Sequence, residues 1–196
     1  MKHLLFLLLG LLTVLSSLGQ TAVKGSLTDL VLGRHGISVE HRLSSAFSAG
    51  AEVDLLSREV FLEGQWQTWF MSQNAQKRGL IVEPFVRWYP TGAEGLSGVY
   101  ASLGGFFGFA NYKLEEPDGL GRHKWSANGA SLHAGWQKCL GRLALDMYMG
   151  TTWADDNYPG VYAESTVLYP PPQGFRASGG LRLGWVFKAD EAASKP

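Results

Sequence analysis

The sequence predicts an all-β fold, an eight-stranded antiparallel up-and-down barrel that follows a cleaved leader and crosses a membrane. Three observations lead to it. Polar and apolar residues alternate with a period of two in nearly every segment, the connections between segments are short and long by turns, and the chain opens on a brief apolar run.

The leader sets the compartment. Lys2 and His3 precede an almost wholly apolar stretch from Leu4 to Leu15, and Ser16, Ser17, Leu18 and Gly19 supply the small residues of a cleavage region. A run of about a dozen residues is too short for a membrane helix, which needs roughly 20. Gln20 stands where a lipoprotein would carry a cysteine. Residues 1–19 therefore read as a signal peptide, 20–187 as the barrel and 188–196 as a polar C-terminal tail.

Composition narrows the class further. Lys+Arg and Asp+Glu number 17 each, so no basic field speaks for nucleic acid. Cys139 is the only cysteine, which leaves no internal disulfide to hold an exported chain together. Aromatics at 12%, 25 glycines and seven tryptophans fit many twisted strands with aromatic edges.

The strands are expected at about 23–32, 36–44, 46–60, 79–90, 96–113, 123–139, 142–155 and 174–187. In the second and third, Ser38, Glu40, Arg42, Ser48, Glu52 and Asp54 share one face. The fourth sets Leu80, Val82, Val86 and Trp88 against Glu83, Arg87 and Tyr89, with Pro84 inside it, where a lost ladder bond predicts a bulge. The fifth opposes Val99, Leu103, Phe107 and Phe109 to Tyr100, Ser102, Gly104 and Gly108. In the seventh, Leu143, Leu145, Met147, Met149 and Trp153 oppose Arg142, Asp146 and Tyr148; in the eighth, Phe175, Leu181, Leu183, Trp185 and Phe187 oppose Arg176, Ser178, Gly180 and Arg182. A soluble sandwich alternates too, so the connections decide. Short ones near Ser45, Thr91–Gly95 and Leu140–Gly141 alternate with long ones at Phe61–Arg78, Leu114–Arg122 and Asp156–Gln173. That is the arrangement of an outer-membrane barrel, with short turns periplasmic and long loops outside.

The stretches Gly36-Ile-Ser-Val-Glu-His-Arg-Leu43, Leu80-Ile-Val-Glu-Pro-Phe-Val-Arg-Trp-Tyr89, Ser97-Gly-Val-Tyr-Ala-Ser-Leu-Gly104 and Gly180-Leu-Arg-Leu-Gly-Trp-Val-Phe187 also carry a resemblance. In order and spacing they resemble a family of uncharacterised small outer-membrane β-barrel proteins common in Bacteroidota. The resemblance spans most of the mature chain, and in it Glu40 and Arg87-Trp88-Tyr89 take the recurring charged and aromatic positions. It implies a fold and a place in the outer membrane but no activity. The chain departs from the family in Ser26, where asparagine is usual, and in the residues from Lys188 to Pro196 beyond the closing aromatic.

Eight strands leave an interior that side chains just fill. Glu40, Glu52, Asp54, Glu83 and Asp146 are expected to face Arg42, Arg87, Arg142, Arg176 and Arg182 there as a network of ion pairs, since a buried charge must be paired. Arg182 is expected to take Asp146 or Glu40 as its partner. Trp66, Trp69, Trp88, Trp125, Trp136, Trp153 and Trp185 are expected in interfacial girdles.

Catalysis finds little support. With Leu140–Gly141 as a two-residue hairpin loop, His133 would lie across from Tyr148 and diagonally from Asp146, with Ser131 nearby, a nucleophile–base–acid set in principle. It would point into the barrel, away from any lipid substrate, and no hydrolase signature surrounds it. The histidines are dispersed and lack metal-ligand spacing. Asp155 and Asp156 could gather calcium weakly, and Trp153–Gly160 with Tyr169–Gly174 has the composition of a recognition loop.

The sequence thus points to a non-enzymatic envelope-structural or surface-binding protein without a cofactor. Its expected partners are outer-membrane lipid and an unidentified extracellular ligand or envelope protein. The alternatives are a lipid-modifying enzyme or narrow conduit and, third, a soluble periplasmic lipocalin-like barrel.

Overall fold

Eight antiparallel strands pair with their sequence neighbours, and the last returns to the first to close a barrel in the computed structural model of the chain. The structure describes residues 20–31, 34–56, 75–91, 96–114, 122–156 and 173–187. The leader, the tail, most of the long loops and Trp66 and Trp69 lie outside the described residues, as do the side chains of Trp125 and Arg176. The strands are β1 (Thr21–Ser26), β2 (Arg34–Arg42), β3 (Phe47–Leu56), β4 (Ala75–Trp88), β5 (Gly98–Leu114), β6 (Arg122–Leu140), β7 (Leu143–Asp156) and β8 (Gln173–Phe187), with one helix, α1 (Leu27–Val31), after β1. The β2–β3, β4–β5 and β6–β7 connections gather on one rim with both ends of the described chain; the longer ones gather on the other.

The period of two becomes an inside and an outside. Ser38, Glu40, Ser48, Glu52, Asp54, Arg87, Tyr100, Asp146 and Arg182 are buried, while Ile37, Val53, Val86, Leu103, Met147 and Leu183 beside them are exposed. A narrow sheet this strongly curved crowds its concave face. At Gly135 an added Cβ would stand 2.4 Å from the Tyr100 ring, and at Gly50 2.7 Å from the Phe85 ring, so inward glycines make room for inward aromatics. The short-turn end is stopped by an apolar cluster of Ala22, Leu96, Ala144 and Val186. Leu96, from the β4–β5 connection, folds back beneath the strands and is 1% exposed.

Four expectations need correction. The first strand does not run to residue 32. It ends at Ser26, whose Oγ accepts from the Asp29 backbone N–H at 3.2 Å as a helix N-cap, and α1 takes over. No bulge forms at Pro84. Register with β5 is the same on both sides of it, Val82 facing Phe107 and Phe85 facing Gly104, and the ladder merely skips Glu83 and Pro84. The ring has no N–H to give β5, and the partner glycines Gly104 and Gly105 fit around it.

The β6–β7 loop is Gly141–Arg142 rather than Leu140–Gly141: Leu140 pairs Leu143, and Gly141 takes φ +65°, the first central position of a type II′ hairpin. Every cross-strand partner therefore moves by two, and His133 faces Gly150. Arg142 becomes an exposed turn residue instead of an interior charge.

Gly135→Val should lower the urea midpoint of the folded protein by the equivalent of about 1–3 kcal/mol through overpacking against Tyr100. Ala134→Val, one residue along and exposed, should leave it unchanged; equal effects would place Gly135 on the wrong face.

Candidate functional site: the charged interior

Inward positions of seven strands, β1 to β7, meet above the apolar stopper. Lys24 of β1 donates from Nζ to Glu40 Oε2 (2.6 Å), Gln137 Oε1 (2.7 Å) and Asp146 Oδ2 (2.8 Å), so all three ammonium donors have an acceptor. Arg87 of β4 bonds the same three groups: Nη1 reaches Glu40 at 3.0 Å and Gln137 at 2.9 Å, and Nη2 reaches Asp146 at 2.9 Å. The other carboxylate oxygens are held by hydroxyls. Ser48 (2.5 Å) and Tyr89 (2.9 Å) donate to Glu40 Oε1, and Tyr100 donates to Asp146 Oδ1 at 2.6 Å. Two cations and two anions thus form a neutral cluster whose side chains are 0–2% exposed.

Aromatic faces complete the solvation that water would otherwise give. The Arg87 guanidinium lies 4.1 Å from the Tyr100 ring centre and 4.8 Å from that of Phe85, and Arg182 lies 3.8 Å from Tyr148.

Arg182 overturns an expectation. Its main partner is neither Asp146 nor Glu40 but Glu52 of β3, to which Nε donates at 3.1 Å and Nη2 gives a second, shorter bond. Asp146 is its cross-strand partner, yet their closest ion-pair contact is 3.7 Å. Asp146 already serves Lys24, Arg87 and Tyr100, whereas Glu52 lies across the lumen within reach of the fork. Asp54 is buried beside Glu52, and Glu83 lines a cavity of about 10 Å³ with Arg87, His133, Tyr148 and Arg182, room for about one water. Arg42 stands apart near the short-turn rim, where Nε donates to the Ser44 carbonyl at 3.0 Å.

Lys24 and Gln137 were not among the residues singled out from sequence. Both could have been found by the same alternation, because Ala22, Lys24 and Ser26 face inward together, as do His133, Gly135 and Gln137.

The serine–histidine set also changes. His133 Nε2 lies 2.8 Å from Ser178 Oγ, to which Thr152 donates at 3.3 Å, and its ring meets Tyr148 edge-on at 5.0 Å. Asp146, the acid offered to it by sequence, is committed to the cationic cluster.

No protein-family model, curated protein or solved structure matches the chain.

Arg182→Leu should destabilise the barrel by about 3–5 kcal/mol, the cost of leaving a buried carboxylate alone. Adding Glu52→Gln should restore much of it and adding Glu40→Gln should not, because the Glu40 carboxylate answers Lys24 and Arg87 rather than Arg182. Equal relief from both would mean that the interior behaves as one diffuse field.

Proposed function

We propose that the chain is exported and spans the outer membrane as a closed, non-conducting barrel with a non-enzymatic role, stabilising the envelope or carrying surface loops on a rigid wall. One observation supports the reading above the rest: the outward face is an apolar belt bounded by aromatics. Trp185, Trp136, Trp88 and Phe47 stand toward the short-turn end, Trp153 and Phe175 toward the other, all 38–79% exposed, with Leu103, Leu132, Met147 and Leu183 between. Phe175 and Trp185 are ten residues apart on β8. At about 3.4 Å per residue and a tilt near 40°, that is a height of about 26 Å, close to the roughly 25 Å apolar band of such barrels. A soluble monomer rarely exposes a contiguous apolar patch beyond a few hundred Å². The interior supports the closed state, since the Lys24–Glu40–Arg87–Gln137–Asp146 cluster and Leu96 fill the lumen at the short-turn end.

The lipid-modifying alternative has one observation in its favour, the 2.8 Å His133–Ser178 contact. That serine also accepts from Thr152 inside the barrel, as interior hydroxyls do. A fluorophosphonate probe should leave the native protein unlabelled. Labelling lost in Ser178→Ala would favour the hydrolase instead.

In membrane extracts, the protein should change gel mobility on heating, and Leu103→Arg should cost about 2–4 kcal/mol if that residue sits near the midplane. Recovery of unlipidated protein in the soluble periplasmic fraction, with Leu103→Arg tolerated, would sink the membrane reading. For the role itself, a deletion strain should show altered envelope permeability with unchanged lipid composition; altered lipid chemistry would count for the enzyme.

A further inference from the structure

Where β1 stops, α1 enters the wall between β8 and β2. Thr28 Oγ1 accepts from the Leu181 backbone N–H at 2.8 Å, so a side chain replaces part of the missing ladder. The next residue, Asp29, is 4% exposed. One carboxylate oxygen from each of Asp29, Glu52 and Asp54 lies within 4.8 Å of the other two. Gly36 of β2 lets them converge. A Cβ there would stand 2.5 Å from Asp54 Oδ1 and 3.0 Å from Asp29 Oδ2, so the two acids pack directly over the glycine, where a larger residue would push them apart.

A second observation is independent of the acids. Ser38 is the next inward position on β2 and the register partner of Glu52; it is 0% exposed, and among the described residues its Oγ has no hydrogen-bond partner. Lys24, its neighbour on β1, turns its ammonium away to Glu40, Gln137 and Asp146. Ser38 and Glu52 are paired across β2 and β3 and both are buried on the inner face, so the serine hydroxyl adjoins the acids, and a buried hydroxyl without a partner marks a place where a ligand belongs.

We propose that Asp29, Glu52 and Asp54, with Ser38 Oγ, bind one calcium ion. All four donors are oxygen, which suits a hard cation and not zinc or copper. Calcium takes oxygens at 2.3–2.6 Å, so two ligands on opposite sides of it are about 4.6–5.2 Å apart, whereas magnesium limits them to about 4.0–4.2 Å. Oxygens within 4.8 Å of one another fall inside the calcium span, and a cage of protein oxygens suits calcium better than magnesium, which keeps several waters. Arg182 holds Glu52 through both oxygens, yet each oxygen keeps a second lone pair, so the guanidinium orients this ligand as an outer partner does. The ion ties α1 to β3 across the seam that the short first strand leaves.

The test uses the mature chain refolded in detergent, stripped with chelator and dialysed against radioactive calcium. Native protein should retain one ion, and a tenfold excess of magnesium should not displace it. Asp54→Asn should weaken retention by about tenfold or more, and the milder Ser38→Ala by several-fold with heat-dependent gel mobility intact. Asp155→Asn/Asp156→Asn, on β7, should bind as the native protein does. Absence of retained calcium in folded native protein overturns the proposal, as does binding lost only in the Asp155/Asp156 variant. If Asp54→Asn fails to fold, unchanged binding by Ser38→Ala also overturns it.

Discussion

Lys24 places an ammonium ion in the middle of a tube too narrow to hydrate it, and most of the interior is arranged around that fact. Three acceptors within 2.6–2.8 Å answer its three donors, and they come from β2, β6 and β7. Each acceptor needs its own orientation, which Arg87, Ser48, Tyr89 and Tyr100 supply. The tyrosines in turn need space, given by glycine where Tyr100 meets Gly135. A charge on the first strand thus dictates residues on six others. Such a cluster adds little net stability over an apolar filling, because desolvation offsets the attraction. What it does is penalise alternatives: a strand slipped by two residues would strand several buried charges at once. Register specificity is the stronger rationale for a polar interior here.

The alternation of faces was legible because lipid or solvent on one side and a crowded lumen on the other leave no middle course for a side chain. Glu40, Arg87, Asp146 and Arg182 could be assigned inward from that alone. Which acid meets which base could not, because Arg182 and Glu52 are 130 residues apart and join across the lumen rather than along the sheet. The hairpin register failed for a smaller reason: Gly141 was placed second in its loop when its positive φ puts it first. α1 was missed although Ser26 and Asp29 carry the spacing of a capping box, since five residues are too few to show helical period. Leu96 was counted as the first residue of the fifth strand, whereas that strand starts at Gly98 and Leu96 lies in the connection before it, buried beneath the barrel.

The two halves of the lumen are built for different ends. Toward the short turns, lysine and arginine balance glutamate and aspartate, and apolar residues close the floor. Toward the long loops, Asp29, Glu52 and Asp54 crowd together beside Arg182, close to the one place where a helix substitutes for a strand. A wall made of ladder hydrogen bonds is hard to deform locally, whereas a five-residue helix held by Thr28 and by side chains at its inner face is not. The seam beside α1, where the Thr28 side chain stands in for a ladder bond, is a part of the described wall open to such deformation.

That asymmetry also limits where function can reside. Among the described residues, the cavity of about 10 Å³ beside Arg182 has room for about one water and none for an organic ligand, and the charged cluster lies beneath it. On the function proposed above, the role falls to the outer surface: the apolar belt, the rims, or the chain between β3 and β4, β5 and β6, and β7 and β8. A charge-locked interior suits that arrangement, because strands of 10–19 residues hold the ends of these connections at fixed points.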